Sequence, residues 1–200
     1  MRQRFVPELQ SLRVGPPYTV AAITFPASNT STSTSTSTSS TGTSTSTSKA
    51  LRILPVTGAQ VEIEAALSFP PGSKSVFGLM VFVGAKGAGG GYEHTDIVFD
   101  LSLNQVQVDR RGSSSNGTDN DVRAGPMPAS LGTAGTVRFH AYIDHSIVTV
   151  IVENQTALTT WVHPVSADST GIALFNSGPG PAPTVVEMTV WQLANITQPR

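Results

Sequence analysis

Three consecutive residues, Asp144, His145 and Ser146, carry the side chains of a Ser-His-Asp hydrolase. In such a triad the histidine lies between the nucleophilic hydroxyl and the orienting carboxylate, so the three groups must converge on one reacting atom. Neighbours in sequence cannot normally do this. The flanking residues favour a different interpretation, in which the three residues form a tight hairpin turn between two strands.

Carboxyl groups are the second kind of residue that could do chemistry, because a retaining glycosidase needs two of them about 5 Å apart. The candidate acids are Asp96, Asp100, Asp109, Asp144 and Glu153. Asp96 and Asp100 share one face of a predicted strand but would lie about 13 Å apart at the rise of a strand. Only cross-strand pairs remain open, so we assign no catalytic residue to this chain.

The residue types that commonly bind metals or phosphates also show no recognisable motif in this sequence. The histidines at positions 94, 140, 145 and 163 lack a spacing such as His-Glu-x-x-His, and the absence of cysteine excludes thiolate sites and disulfides. The glycine-rich stretch from Gly84 to Gly91 precedes residues typical of a strand, whereas a phosphate loop opens a helix. We expect no metal and no cofactor.

The elements that carry these residues are predicted to be strands. From Val137 to Ile143, apolar and polar residues alternate with the period of a half-buried strand. A run of β-branched residues follows Ser146, and Asn154 and Gln155 make a second turn into ALTTWVH. The pattern predicts a three-stranded meander.

Further strands are predicted in YTVAAITF, VEIEAALSF, FGLMVFV, TDIVFDL, NQVQVDR, GIALFN and TVVEMTVWQL. In VEIEAALSF the alternation points Glu62 and Glu64 to solvent. Trp191 is expected to pack in a core or an interface rather than to support a sugar ring. With no long apolar period of 3.6 residues, the chain is predicted to be all-β, a two-sheet antiparallel β-sandwich of the concanavalin-like jelly-roll kind.

Two stretches interrupt this pattern. Ser28 to Ser48 is almost pure serine and threonine, and it has too little apolar surface to offset its ordering entropy, so we expect a disordered loop insertion. Arg111 to Pro128 is rich in glycine, serine, asparagine and proline, and it is predicted to be a long surface loop. The predicted organisation is a linker over residues 1–17 and one sandwich domain over residues 18–195.

The composition limits the partners. A net charge of −1 with 12% charged residues argues against nucleic-acid binding, and no apolar run approaches the roughly 18 residues of a membrane span. Candidate N-glycosylation sites at Asn116, Asn154 and Asn195 favour a secreted, extracellular or vacuolar protein; a further sequon at Asn29 is expected by chance in such a serine-rich tract. MRQRFVPELQ has no hydrophobic signal core.

The predicted strands also carry a family resemblance. IDHSIV, ALTTWVHP, GIALF and VVEMTVWQL, together with PELQSLR, VEIEAALSF and TDIVFDLSLNQVQVDR upstream, resemble the C-terminal β-sandwich module of family 32 glycoside hydrolases, the invertases and fructan hydrolases. The resemblance covers most of the chain outside the serine-rich tract. PELQSLR is similar to the segment that leaves the catalytic propeller of that family.

The resemblance implies a non-catalytic module. The Asn-Asp-Pro, Arg-Asp-Pro and Glu-Cys motifs of the family's propeller have no counterpart in this sequence. We therefore expect a module that docks on and stabilises a propeller hydrolysing O-glycosyl bonds of sucrose or fructans, and that is inactive alone. The alternative is a stand-alone, lectin-like sandwich that binds fructan or another carbohydrate; the residues that would bind sugar remain unknown. Glycosidase activity in this chain is the weakest of the three hypotheses.

Overall fold

In a computed structural model of the chain, the backbone is described for residues 7–37, 40–84, 92–117, 121–128, 135–177 and 181–194. Side chains are described for the same residues except 7–8 and 29–48. The predicted glycine-rich loop, apart from Gly84, and the sequon at Asn195 lie outside these ranges.

The described backbone is almost entirely strand. After a short 3₁₀ helix (Pro7–Leu12), the strands are β1 (Arg13–Thr24), β2 (Asn29–Ser37), β3 (Ser40–Ser48), β4 (Ala50–Thr57), β5 (Gln60–Ser68), β6 (Val76–Val83), β7 (Thr95–Asp100), β8 (Gln105–Asp109), β9 (Val122–Pro126), β10 (Thr136–Asp144), β11 (Ile147–Val152), β12 (Thr156–Trp161), β13 (Gly171–Asn176) and β14 (Thr184–Leu193). The predicted all-β fold is confirmed.

The strands form two six-stranded antiparallel sheets. The first sheet has the order β1-β14-β5-β10-β11-β12, and the second has the order β4-β13-β6-β7-β8-β9. The predicted meander is β10-β11-β12, and FGLMVFV forms most of the interior strand β6. Because every partner in these sheets runs antiparallel, the outward faces of the two sheets can carry polar residues.

The main core lies between the two sheets and follows from the alternation of each strand. On β10 the odd-numbered residues Val137 to Ile143 are buried, and the even-numbered ones point outward. Phenylalanine rings fill the centre: Phe77 lies 5.8 Å from Phe99, and Phe99 lies 5.2 Å from Phe139, measured between ring centroids. This sheet-to-sheet packing makes the fold a sandwich.

A second apolar cluster covers the outward side of the second sheet. Met80, Val98, Ala173 and Phe175 are at most 7% exposed there. The ammonium group of Lys49 lies 4.3 Å from the centroid of the Phe175 ring.

The structure differs from the sequence predictions at one boundary and in one loop, and it adds detail to the serine-rich insertion. β1 begins at Arg13, which pairs with Leu193, so the sheet starts before the predicted boundary between residues 17 and 18. The predicted long loop after Arg111 contains the short edge strand β9, where glycine and proline are tolerated because only one side is paired. The serine-rich insertion is placed between β1 and β4, as expected, but its backbone forms the hairpin β2-β3, a two-stranded sheet of its own. Threonine is β-branched, and such residues favour strand pairing.

Within the part of the chain that the structure describes, no helix is long and apolar enough to span a membrane.

Candidate functional site

The outward face of the first sheet carries a buried carboxylate. Glu62 lies on β5, where the sequence predicts exposure, but its side chain is only 1% exposed and that prediction is wrong. Arg13 donates from Nε to one carboxylate oxygen at 2.7 Å and from a terminal nitrogen to the other at 2.9 Å. The Nε2 atom of His140 lies 2.6 Å from the second oxygen. For Glu64, two residues further along β5, the predicted exposure is confirmed, since it is 47% exposed.

Arg13 is held on this face by more than its ion pair. Its guanidinium lies 3.7 Å from the centroid of the Trp191 ring, a cation–π contact that covers one face of the guanidinium. Trp191 is the register partner of Glu62 across β14 and β5. This contact agrees with the packing role predicted for Trp191.

The electrostatics of Glu62 follow from these contacts. Burial raises the pKa of its carboxyl, but hydrogen bonds from Arg13 and His140 outweigh that effect and lower the pKa to about 2. The same contacts raise the pKa of Arg13, chiefly through the hydrogen bond to Glu62. Glu62 is therefore an anion at any physiological pH.

The cluster has the spacing of a catalytic or metal site but lacks its chemistry. Donor atoms of Glu62, Glu64 and His140 lie within 4.8 Å of one another, close to the separation of the two carboxyl groups in a retaining glycosidase. Both Glu62 oxygens are occupied by donors on Arg13 or His140, so Glu62 cannot attack an anomeric carbon, and its lowered pKa prevents it from acting as an acid. A metal ion would have to displace the guanidinium. The cluster is a structural ion network.

The residues Asp144, His145 and Ser146 form the predicted turn. His145 and Ser146 connect β10 to β11, and His145 has a positive φ of 50°. Asp144 accepts a hydrogen bond from the Gln60 amide at 2.8 Å and lies 3.1 Å from Nδ1 of His145. Among the described hydrogen bonds, Ser146 contributes only its carbonyl, which accepts the backbone N–H of Val162. The arrangement is not that of a nucleophile activated by a histidine.

The remaining candidate acids also have structural partners. Asp100 accepts hydrogen bonds from the backbone and hydroxyl of Ser102, which fixes the turn after β7. Asp109 pairs with Arg111 at 2.6 Å, and Glu153 accepts the backbone N–H of Arg138 at 2.6 Å. These contacts stabilise turns and strand ends.

Asp96 and Asp109 are a cross-strand pair that the sequence left open. They are register partners on β7 and β8. Asp96 forms an ion pair with Lys49, yet burial still raises its pKa above the ordinary value. Its Oδ1 atom is buried without a hydrogen-bond partner. No described group lies beside this pair in an arrangement suited to transferring a glycosyl group.

Glu93 is a buried carboxylate that sequence reasoning missed. It accepts hydrogen bonds from the backbone of Ser115 at 2.6 Å and Ser166 at 2.9 Å, and from the hydroxyl of Ser169 at 2.8 Å. Burial raises the pKa of Glu93, but these hydrogen bonds lower it to about 2. The partners lie 22 to 76 residues away in sequence. No local sequence pattern therefore predicts that Glu93 connects three loops.

Two of the candidate glycosylation sites are exposed. Asn116 lies in the loop after β8, where its Oδ1 atom accepts a hydrogen bond from Ser114. Asn154 lies in the turn between β11 and β12 with a φ of 54°. Both positions are sterically open to a glycan, and their modification stays a prediction.

Beside the ion network, the same face of the first sheet contains a groove of about 350 Å³. Its floor consists of the outward-facing but buried side chains of Ala66 and Ile151. Its rim is polar and is formed by residues of β5, β10 and β14 and of the turn after β11: Glu64, Arg138, His140, Glu153, Asn154 and Glu187. We refer to this feature as the outer groove.

Comparison with known proteins identifies the family of most of the chain. A family model described as "Glycosyl hydrolases family 32 C terminal" matches residues 24–192. A search of curated proteins returns no match.

The fold resembles parts of larger solved structures. A β-fructofuranosidase from Aspergillus kawachii superposes with a TM-score of 0.67 at 21% identity, over 90% of this chain and 28% of that one. An exo-inulinase from Aspergillus awamori gives 0.61 at 22% identity, over 94% and 31%. Fructan 1-exohydrolase IIa from Cichorium intybus gives 0.67 at 14% identity, over 97% and 38%.

The chain thus spans 28% to 38% of the length of these three solved chains. At such identities the superpositions show the fold alone, whereas the family model covers most of the sequence and all strands from β2 to β13. The chain belongs to the C-terminal β-sandwich module of family 32 glycoside hydrolases.

Proposed function

We propose that this module docks on a family 32 catalytic β-propeller and stabilises it, and that the complete enzyme hydrolyses O-glycosyl bonds of sucrose or fructans. The observation that carries the proposal is the family match over residues 24–192 in a chain that spans only 28% of the β-fructofuranosidase and 31% of the exo-inulinase that share its fold. On this proposal, the module is one domain of a larger enzyme.

The way in which the chain enters the sandwich supports a fixed position for a preceding domain. The carbonyl of Leu12 accepts the backbone N–H of Ala194 at 2.7 Å. The next residue, Arg13, is held by Glu62 and Trp191. A domain joined through this segment would be tethered to the sandwich, which raises its effective concentration at the sandwich surface.

The contacts of two buried carboxylates support a stabilising rather than a catalytic role. The two carboxyl groups with strongly lowered pKa, Glu62 and Glu93, are each saturated by donors of the module itself. Such groups fix strands and loops in place. A rigid surface loses little conformational entropy when a partner docks on it.

The proposal is tested with the domain encoded directly upstream of this sequence. We expect that frame to carry the Asn-Asp-Pro, Arg-Asp-Pro and Glu-Cys motifs. The purified upstream domain is then melted with increasing amounts of this chain, with an unrelated β-sandwich protein as the control. A partner that binds only the folded state raises the melting temperature in a concentration-dependent way. An upstream frame without the motifs, or a melting temperature unchanged by excess chain, contradicts the proposal.

A further inference from the structure

We infer that Asn116 is a site of spontaneous deamidation, in which the backbone nitrogen of Gly117 attacks the side-chain amide and the hydroxyl group of Ser114 assists. The modification needs water but no enzyme. It concerns the loop after β8 and is separate from docking on a propeller. The inference rests on the Asn-Gly sequence, the exposure of both residues and a hydrogen bond to the reacting carbonyl.

The residue after Asn116 leaves the attacking nitrogen open. Asn116-Gly117 is the only Asn-Gly pair in the sequence, and both residues are exposed. Glycine has no side chain that could block the approach of its nitrogen to the neighbouring amide carbon. Gly117 has a φ of 72°, and an ideal Cβ placed on it would meet no atom within 4 Å. Because nitrogen and amide are adjacent in the chain, the reaction is intramolecular.

The reacting carbonyl is polarised by a neighbouring hydroxyl group. The Oγ atom of Ser114 donates to Oδ1 of Asn116 at 2.5 Å, and Ser114 is only 8% exposed. When the nitrogen attacks, negative charge develops on Oδ1, and a donor already placed there stabilises it. The N–H of Gly117 donates to the Ser114 carbonyl at 3.2 Å, at the long end of the hydrogen-bond range, so attack breaks only a weak bond.

The reaction balances with water as the only further reactant. The nitrogen of Gly117 forms a bond to Cγ of Asn116, the bond from Cγ to Nδ2 breaks, and Nδ2 leaves as ammonia with the proton lost by the backbone nitrogen. The product is a cyclic imide. Water then opens one of its two C–N bonds, giving a hydroxyl group to the carbon and a proton to the nitrogen. Opening at Cγ leaves aspartate at position 116, whereas opening at the main-chain carbonyl carbon leaves isoaspartate, in which the backbone runs through Cβ and Cγ.

Either product changes a loop that Glu93 anchors. The N–H of Ser115, next to Asn116, donates to the Glu93 carboxylate at 2.6 Å. A new negative charge beside this hydrogen bond weakens it, because like charges repel. Deamidation also removes a candidate glycosylation site. A glycan would be attached to the same Nδ2 atom, so the two modifications of Asn116 exclude each other.

The test is incubation of the full chain at mildly alkaline pH, with protein produced in bacteria so that Asn116 carries no glycan. Peptide mass spectrometry follows the conversion of each asparagine to its acid, and water labelled with heavy oxygen marks the acids formed during incubation. Asn154 is the matched control in the same molecule, since it is exposed, lies in a turn and is followed by Gln155. The variants are Gly117→Ala and Ser114→Ala. Melting curves verify that each variant is folded.

The inference predicts that Asn116 deamidates at least about tenfold faster than Asn154, with both aspartate and isoaspartate at position 116. Gly117→Ala should slow the reaction about tenfold, because a methyl group then hinders the approach of the nitrogen. Ser114→Ala should slow it about fivefold, the effect of losing one hydrogen bond. Hydrogen exchange at Ser115 should be faster in the incubated chain than in the fresh one.

Equal rates at Asn116 and Asn154, or an unchanged rate in Gly117→Ala, would overturn the inference. A rate that is unchanged or raised in Ser114→Ala would overturn the role assigned to the Ser114 hydroxyl. None of these outcomes affects the melting test of docking, so the two proposals fail independently.

Discussion

The Nε2 atom of His140 on β10 lies 2.6 Å from an oxygen of Glu62 on β5, a carboxylate that Arg13 contacts from β1. Glu62 therefore links three strands of the first sheet through one buried side chain. Glu64 lies on the same face of the same strand and also contacts Arg13, but it is half exposed. Variants of these two glutamates can therefore be compared to measure how much burial of the carboxylate contributes to the stability of the fold.

We predict that Glu62→Gln lowers the free energy of unfolding by about 2 kcal/mol, because the three hydrogen bonds that Arg13 and His140 make to the carboxylate are weakened and an amide group faces their donors. Glu64→Gln should change it by less than about 0.5 kcal/mol, as is usual for exposed ion pairs. Urea denaturation with unchanged slope measures both values. Equal losses in the two variants would show that burial of Glu62 is not the cause.

The sequence predicts much of the fold because apolar alternation in strands such as β10 reports directly which face is inward. The predicted exposure of Glu62 is wrong, because the period of a strand identifies the residues on its outward face but not the side chains that cover them. The cover consists of Arg13 and Trp191, which are 49 and 129 positions away in the chain. Glu93 was missed for the same reason, since its partners come from separate loops. The turn at Asp144 was predictable because its signal is local.

The stability of the module is predicted to fall as the pH drops from about 5 towards 2. The pKa of Glu62 and of Glu93 is about 2 in the folded chain, below the value of roughly 4.3 for an unperturbed glutamate. Because the unfolded chain binds these protons first, the stabilising contribution is complete above pH 5 and is lost as the pH falls through the folded pKa. Chemical denaturation at a series of pH values should show a shallower dependence in Glu62→Gln. An unchanged dependence in that variant would contradict the prediction.

Glu93→Gln is predicted to loosen the loops that Glu93 connects. Hydrogen exchange should accelerate at the amides of Ser115, Val165 and Ser166, whose N–H groups donate to the carboxylate. Glu187→Gln is the control, because that exposed carboxylate makes no hydrogen bond among the described residues. If exchange at the three amides stays as slow as in the parent chain, Glu93 does not hold the loops.

Replacing residues 29–48 by a two-residue Asn-Gly link should change the free energy of unfolding by less than about 0.5 kcal/mol. The backbones of Asn29 and Ser48 are paired opposite each other, so a short link can span the gap. The hairpin forms a sheet of its own and belongs to neither layer of the sandwich. Thermal and urea denaturation of the shortened chain measure the change. A loss above about 2 kcal/mol would show that the hairpin contributes to the fold.

The central claim is that this sandwich is a non-catalytic module, and the release of fructose from sucrose, inulin and levan by the pure chain tests it most directly. We predict none, because no described pair of carboxyl groups provides both a free nucleophile and a protonated acid beside it. An intact family 32 enzyme serves as the positive control for each substrate. Fructose release by this chain that disappears in Asp144→Asn would contradict the account and place the chemistry in the sandwich itself.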